Sequence, residues 1–149
     1  MSETLTKAAA RNIFYGGTVF FFLIFIGLVA HSVTTASAIA TNNPITPSVA
    51  AGKHIWERHA CIDCHTILGE GAYFAPELGN VWVRFGGKES PDGARDALKA
   101  WMKAQPTGIA GRRQMPHFAI TDAELDQLVD FLKWTSEINT QNWPPQVSG

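Results

Sequence analysis

Between Asn12 and Gly52 the sequence contains no Asp, Glu, Lys or Arg; its 12 basic and 13 acidic residues all lie outside that window. Within the window Ile13–Ala30 reads IFYGGTVFFFLIFIGLVA, with Tyr15 and Thr18 as its polar side chains. Eighteen helical residues rise about 27 Å, close to the roughly 30 Å hydrocarbon core of a bilayer, and His31–Val33 complete the crossing. A soluble helix of this length shows a polar stripe, and none is present. Phe14 and Tyr15 sit where an interfacial aromatic belt belongs. Residues 12–33 are therefore expected to form a single transmembrane anchor.

Lys7, Arg11 and the terminal amine flank one end of the run, and the first charge beyond the other end is Lys53. The positive-inside rule puts residues 1–11 in the cytoplasm and everything beyond about residue 34 outside. The rival is a cleaved signal peptide, because Ala36-Ser37-Ala38 resembles a small-residue cleavage site. Against it, the apolar run exceeds the 7–15 residues usual for a signal peptide.

Residues 34–48 (TTASAIATNNPITPS) are small, polar and proline-punctuated, which reads as a linker. The remainder, 49–149, suffices for one small core. Its formal charge balance, within a chain of net charge −1, offers no electrostatic case for nucleic acid. Helices are expected over Val49–His59, with Val49, Lys53 (by its stem), Trp56 and Ala60 on one face, and over Ala94–Gln105, stopped by Pro106. A third follows the capping box Thr121-Asp122-Ala123-Glu124 and runs to about Ile138. No hairpin signal appears, so the outer part reads as all-α with long loops.

Both cysteines fall within Cys61-Ile62-Asp63-Cys64-His65. C-x-x-C-H is the attachment motif of c-type haem: two thiols three residues apart reach the two vinyl groups of one porphyrin, and the next residue supplies an imidazole to the iron. A dithiol redox motif would sit in a βαβ context, and half a zinc site would need a second Cys or His cluster. Neither is present. The sixth iron position separates electron transfer from gas binding. Met102 lies on an apolar helical stripe, where packing is the default. Met115 lies in the loop GRRQMP, beside Pro116, and no helix claims it. His117 or a vacant position are the alternatives to Met115. Arg112 and Arg113 are candidates to pair haem propionates, since guanidinium suits carboxylates. His54 and His59 read as exposed helix residues.

The C-x-x-C-H after a short helix, the loop methionine and the C-terminal helix resemble the class I cytochrome c fold. More narrowly, CHTILGEGAYFAPELGNV, AWMKAQPTGIAGRRQMPHF and DFLKWTSEINTQNWPP, with the anchor, resemble the cytochrome c subunit of bacterial nitric oxide reductase. The resemblance implies a monohaem periplasmic domain on the bacterial inner membrane, with Cys61 and Cys64 as thioether links and His65 and Met115 as axial ligands. It implies that the Pro76 carbonyl accepts the Nδ1–H of His65. It also implies that the Gly71 carbonyl and the Tyr73 hydroxyl ligate a calcium ion shared with the catalytic subunit. Without the family, Gly71 reads as a turn residue and Tyr73 as a core aromatic.

The implied role is electron transfer from a soluble donor, a cytochrome c or a cupredoxin, to a large haem b-containing catalytic subunit that converts two NO to N2O. The chain by itself carries no reaction centre. Its alternatives are a free-standing anchored electron shuttle and a haem-based gas-binding protein. Residues 121–138 hold Asp122, Glu124, Asp126, Asp130 and Glu137 against Lys133 alone. That reads either as a patch steering a basic donor or as a solvated helix face.

Overall fold

The uncharged run becomes part of one long helix. In the computed structural model, which describes residues 5–140 and no side chains within 37–42, α1 spans Lys7–Asn42. Its hydrophobicity is spread around the axis rather than gathered into a stripe. Lys7–Ala36 reaches a mean hydropathy of 2.3 and buries nothing against protein, which makes it a candidate membrane span. The Thr18 hydroxyl donates to the Phe14 carbonyl at 2.8 Å, the usual way a hydroxyl is satisfied in an apolar helix. The helix continues through residues 34–42, which the sequence reads as linker. Propagating an existing helix costs little, and no breaker intervenes before Pro44, which also biases Asn43 away from helix. The chain divides into two units between Pro44 and Ile45.

In the second unit, Thr46 caps α2 (Pro47–Arg58) by accepting from the Val49 N–H at 3.3 Å. Pro47 occupies the first turn, where its missing N–H costs nothing. The buried face is Val49, Gly52, Ile55 and Trp56. Lys53 instead turns outward to pair Glu57, and Ala60 leaves the helix in a left-handed conformation at φ 51°. A 3-10 turn (Cys61–Asp63) follows, then strands β1 (Thr66–Ile67) and β2 (Glu70–Gly71), α3 (Val81–Arg84), α4 (Pro91–Lys103) and α5 (Asp122–Ser136). The strands pair antiparallel, Thr66 with Gly71 and Ile67 with Glu70. The described residues of the outer unit are thus helical apart from this one small ladder and the loops.

α5 begins at the expected capping box, with the Thr121 N–H donating to Glu124 at 2.9 Å and the Thr121 hydroxyl accepting from the Glu124 N–H at 3.3 Å. It buries Leu125, Leu128, Val129, Phe131 and Leu132 against α2, α3 and α4. Trp56, Val81, Trp82, Ala94 and Leu98 complete the core. Where α2 meets α5 the backbones come very close: a Cβ on Gly52 would lie 2.0 Å from the Gln127 carbonyl oxygen. The Trp143-Pro144-Pro145 tail lies outside the described residues.

The acidic residues of α5 do not form a free patch. Asp126 pairs Lys99 at 2.9 Å, Asp130 pairs Arg95 at 2.5 Å, and Asp122 pairs Lys103. Glu124 pairs Arg58 on α2. The basic side of α4 thus meets the acidic side of α5, where Asp122 and Asp126 stay exposed but paired. Isolated exposed pairs contribute little, so the network matters chiefly for the register of the helices. Hydrogen bonds from the Thr121 backbone and hydroxyl, then from Arg58, hold the Glu124 carboxyl down at about 2, against an ordinary 4.5. A depressed carboxyl stabilises the fold above its unfolded value and loses that contribution as pH falls through the folded one. Glu124→Gln is therefore expected to unfold more readily at about pH 6. The gap to wild type should close between about pH 4.5 and pH 2 in an acid titration followed by circular dichroism.

Candidate functional site

The left-handed residue Ala60 ends α2 and throws the chain into the tight turn that carries the motif. The Cys64 and His65 N–H groups both donate to the Cys61 carbonyl, at 3.2 and 2.9 Å. The two thiols and the imidazole therefore project from one turn. Both cysteines are free, Cys61 buried and Cys64 half-buried. Burial pushes the Cys61 thiol up to about 11, with Cys64 nearby adding to the effect. Reactive cysteines have lowered values, the opposite direction from that of Cys61. Among the described residues no group of three or more His, Cys, Asp or Glu could hold a metal ion.

His65 is buried, and its Nδ1–H donates to the Pro76 carbonyl at 2.8 Å. A carbonyl only accepts, so Nδ1 carries the proton and Nε2 keeps its lone pair. Burial lowers the imidazole pKa most, the Pro76 bond opposes it, and Arg84 lowers it further. The ring is thus a neutral donor with its second nitrogen available to a metal.

The loop from Thr66 to Gly79 is built around this ring. Leu68 and Gly69 both have positive φ, 52° and 86°, as the tight hairpin turn requires. Leucine is an unfavourable choice there, and the Glu77 carboxylate compensates by accepting from the Leu68 and Gly79 N–H groups at 2.9 and 2.8 Å. Gly71, at φ 121°, has no room for a side chain: a Cβ would lie 2.2 Å from the His65 carbonyl oxygen. Tyr73 is 78% exposed, not a core aromatic, and its hydroxyl donates to the Gly69 carbonyl at 3.3 Å.

Two chambers, about 270 and 570 Å³, share Cys61, His65, Pro76, Trp101 and Met115 on their walls. Met115 thus comes from a loop fifty residues downstream to the cleft that holds the motif. Met102 lines the smaller chamber alone of the two, whereas His117 lines a separate cavity beneath the start of α5. Cys64, Arg112 and Arg113 line the larger chamber. Arg113 is engaged there: its guanidinium lies 4.6 Å from the centre of the Phe74 ring and donates to the Phe74 carbonyl. Both arginines thus line the same chamber as Cys64.

Sequence reasoning missed three residues. Arg84 is a cation on the wall of the smaller chamber, otherwise almost wholly apolar, where it donates to the Glu77 carbonyl at 2.6 Å. Burial draws its pKa down, and among the described residues it has no carboxylate at ion-pair distance. Its signal was a lone charge in the apolar stretch VWVRF. Glu77, the loop's clasp, is the acid of the APELGN segment. Trp101 on α4 is 44% exposed and forms wall in both chambers. His59 also departs from the exposed reading, packing edge-on against Phe118 at 5.3 Å.

The donor set fits a c-type haem: two free thiols, a braced neutral imidazole and a thioether on one apolar cleft. A family model for cytochrome c matches residues 49–136. Over all of both chains the sequence is 61% identical to the nitric oxide reductase C subunit of Paracoccus denitrificans, across 150 residues. The chain belongs to the family of nitric oxide reductase C subunits. Full-length identity is 57% to the corresponding protein of Halomonas halodenitrificans and 53% to that of Stutzerimonas stutzeri. Like its family, the chain has a cytochrome c domain, whose class is electron transport. It adds an apolar helix long enough to span a membrane.

Proposed function

We propose that this chain is the membrane-anchored electron-transfer subunit of a nitric oxide reductase. It would take electrons from a soluble cytochrome c or cupredoxin and pass them to a haem b-containing catalytic subunit, where two NO become N2O and water. When bound, one haem c supplies the one-electron chemistry. Cys61 and Cys64 would hold it by thioether bonds, and His65 and Met115 would be its axial ligands. What carries this reading is the single cleft shared by Cys61, His65, Pro76 and Met115.

The residues divide the work. Pro76 fixes the His65 ring and raises its basicity toward iron. A methionine opposite histidine raises the potential and closes the site to small ligands. Arg84 and Arg112 would face the propionate carboxylates, which guanidinium suits. A nearby cation disfavours the oxidised state, so Arg84→Gln is expected to lower the potential by tens of millivolts, where about 59 mV is tenfold for one electron. Redox titration of the purified chain checks it; an unchanged potential removes Arg84 from this role.

The Gly71 carbonyl and Tyr73 hydroxyl would complete a calcium site with the catalytic subunit, and oxygen ligands suit that cation. The exposure of Tyr73 supports this reading. Charge around α1 supports a cytoplasmic N-terminus and a periplasmic haem domain. Purification from bacterial membranes in mild detergent tests the whole. A large haem b subunit should copurify, with calcium in the complex. Recovery of the chain alone, fully haem-loaded, would support a free-standing shuttle instead.

A further inference from the structure

The loop that carries Met115 is secured mostly to itself. Gln114 bonds Thr107, Gly108, the Ile109 carbonyl and the Arg112 carbonyl, all within the same loop. Gly108 and Gly111 have positive φ and open space about them. Such a segment has little of its own to hold a thioether in one place. Arg113, two residues before Met115, reaches out of the loop. It lies over the Phe74 ring and donates to the Phe74 carbonyl.

Phe74 belongs to the segment that follows the motif hairpin and also lines the larger chamber. Next to it, Ala75 donates its N–H to the Cys64 carbonyl at 2.8 Å, and Pro76 accepts from His65 at 2.8 Å. One side chain therefore ties the methionine loop to the segment that braces the motif. The two contacts are of different kinds, a charge-assisted hydrogen bond and a cation over an aromatic face.

We propose that Arg113 is a positioning residue for Met115: by latching its loop onto Phe74, it holds the thioether on the haem side of the cleft. This rests on Met115 being the axial ligand. An external ligand binds only when the methionine has left, so its apparent affinity scales with the fraction of open loop. Removing the latch raises that fraction. A hydrogen bond from a charged group accounts for about a tenfold change.

The test uses the full haem-loaded chain in detergent and titrates the ferric form with imidazole, alongside thermal melting and redox potential. Arg113→Ala is expected to bind imidazole about tenfold more tightly, with its thermal midpoint near wild type. Phe74→Leu keeps the carbonyl and loses the ring, and Arg113→Lys keeps the charge and loses the fork; both should fall between. A potential shift in Arg113→Ala with unchanged imidazole affinity overturns the latch and returns Arg113 to a propionate. Met115→Ala is the control for the underlying reading. If it binds imidazole no better than wild type, the ligand assignment itself is wrong and the latch falls with it. If only the Arg113 and Phe74 variants are silent, the latch alone is wrong.

Discussion

A Met115→Ala variant is expected to turn a closed electron-transfer site into one that binds carbon monoxide. Its potential should fall by on the order of 0.1–0.3 V, within the span of about 0.8 V over which axial ligands tune haem. The direction follows from the thioether proposed as ligand, which would favour ferrous iron and close the site to small ligands. The fold should survive, because Met115 lies on a loop and lines a chamber rather than filling the core. Flash photolysis of the ferrous CO complex and a redox titration give the two readings. A wild type that already binds CO rapidly would favour a gas-binding protein and remove Met115 from the iron. Met102, on the wall of the smaller chamber, then becomes the residue to replace. His117 is the weaker alternative, because it lines another cavity.

The second large effect is on stability. Gly52→Val is expected to cost about 3 kcal/mol or more, the upper end for overpacking, or roughly 10–20 °C in thermal midpoint for a domain of this size. Two effects compete at this position. Alanine or another side chain would gain up to about 1 kcal/mol in helix propensity over glycine. Steric overlap decides the outcome, since the nearest neighbours are the Gln127 carbonyl at 2.0 Å and the Phe131 Cβ at 2.7 Å. Neither can rotate away. Gly93 on α4 is the control, because a Cβ there meets only the Ser90 side chain, nearest at its rotatable hydroxyl. Gly93→Ala should be neutral or mildly stabilising. Equal melting of Gly52→Ala and wild type would show that α2 and α5 can separate at no cost.

Much of the fold was legible because its signals are local. The capping box at Thr121, the proline at the start of α2 and the apolar length of Ile13–Ala30 each act within a few turns of chain. Where expectation failed, the cause lay elsewhere in the molecule. The hairpin at Leu68 carries no glycine or asparagine at its first turn position, and it forms because Glu77, nine residues away, accepts the Leu68 N–H. The acidic run on α5 looked like a surface patch until α4 supplied Lys99, Lys103 and Arg95 opposite it. Lys53 was placed on a buried face by periodicity alone, while the close approach at Gly52 sets the true face of α2. Guanidinium chemistry is generic, and only the fold shows that Phe74, thirty-nine positions away, is a partner of Arg113.

The sequence by itself determined the chemistry. Two thiols and an imidazole within five residues, and an uncharged run of membrane length, point to a haem site and a candidate membrane span without any long-range contact. Only the tertiary structure decided which remote groups meet that turn: Met115 rather than His117 at the cleft, Pro76 on His65, Arg84 in the apolar chamber. The physical reason is the range of the determinants. A covalent motif and a hydrophobic length are properties of neighbours in the chain, whereas a cleft is assembled from segments that packing alone brings together.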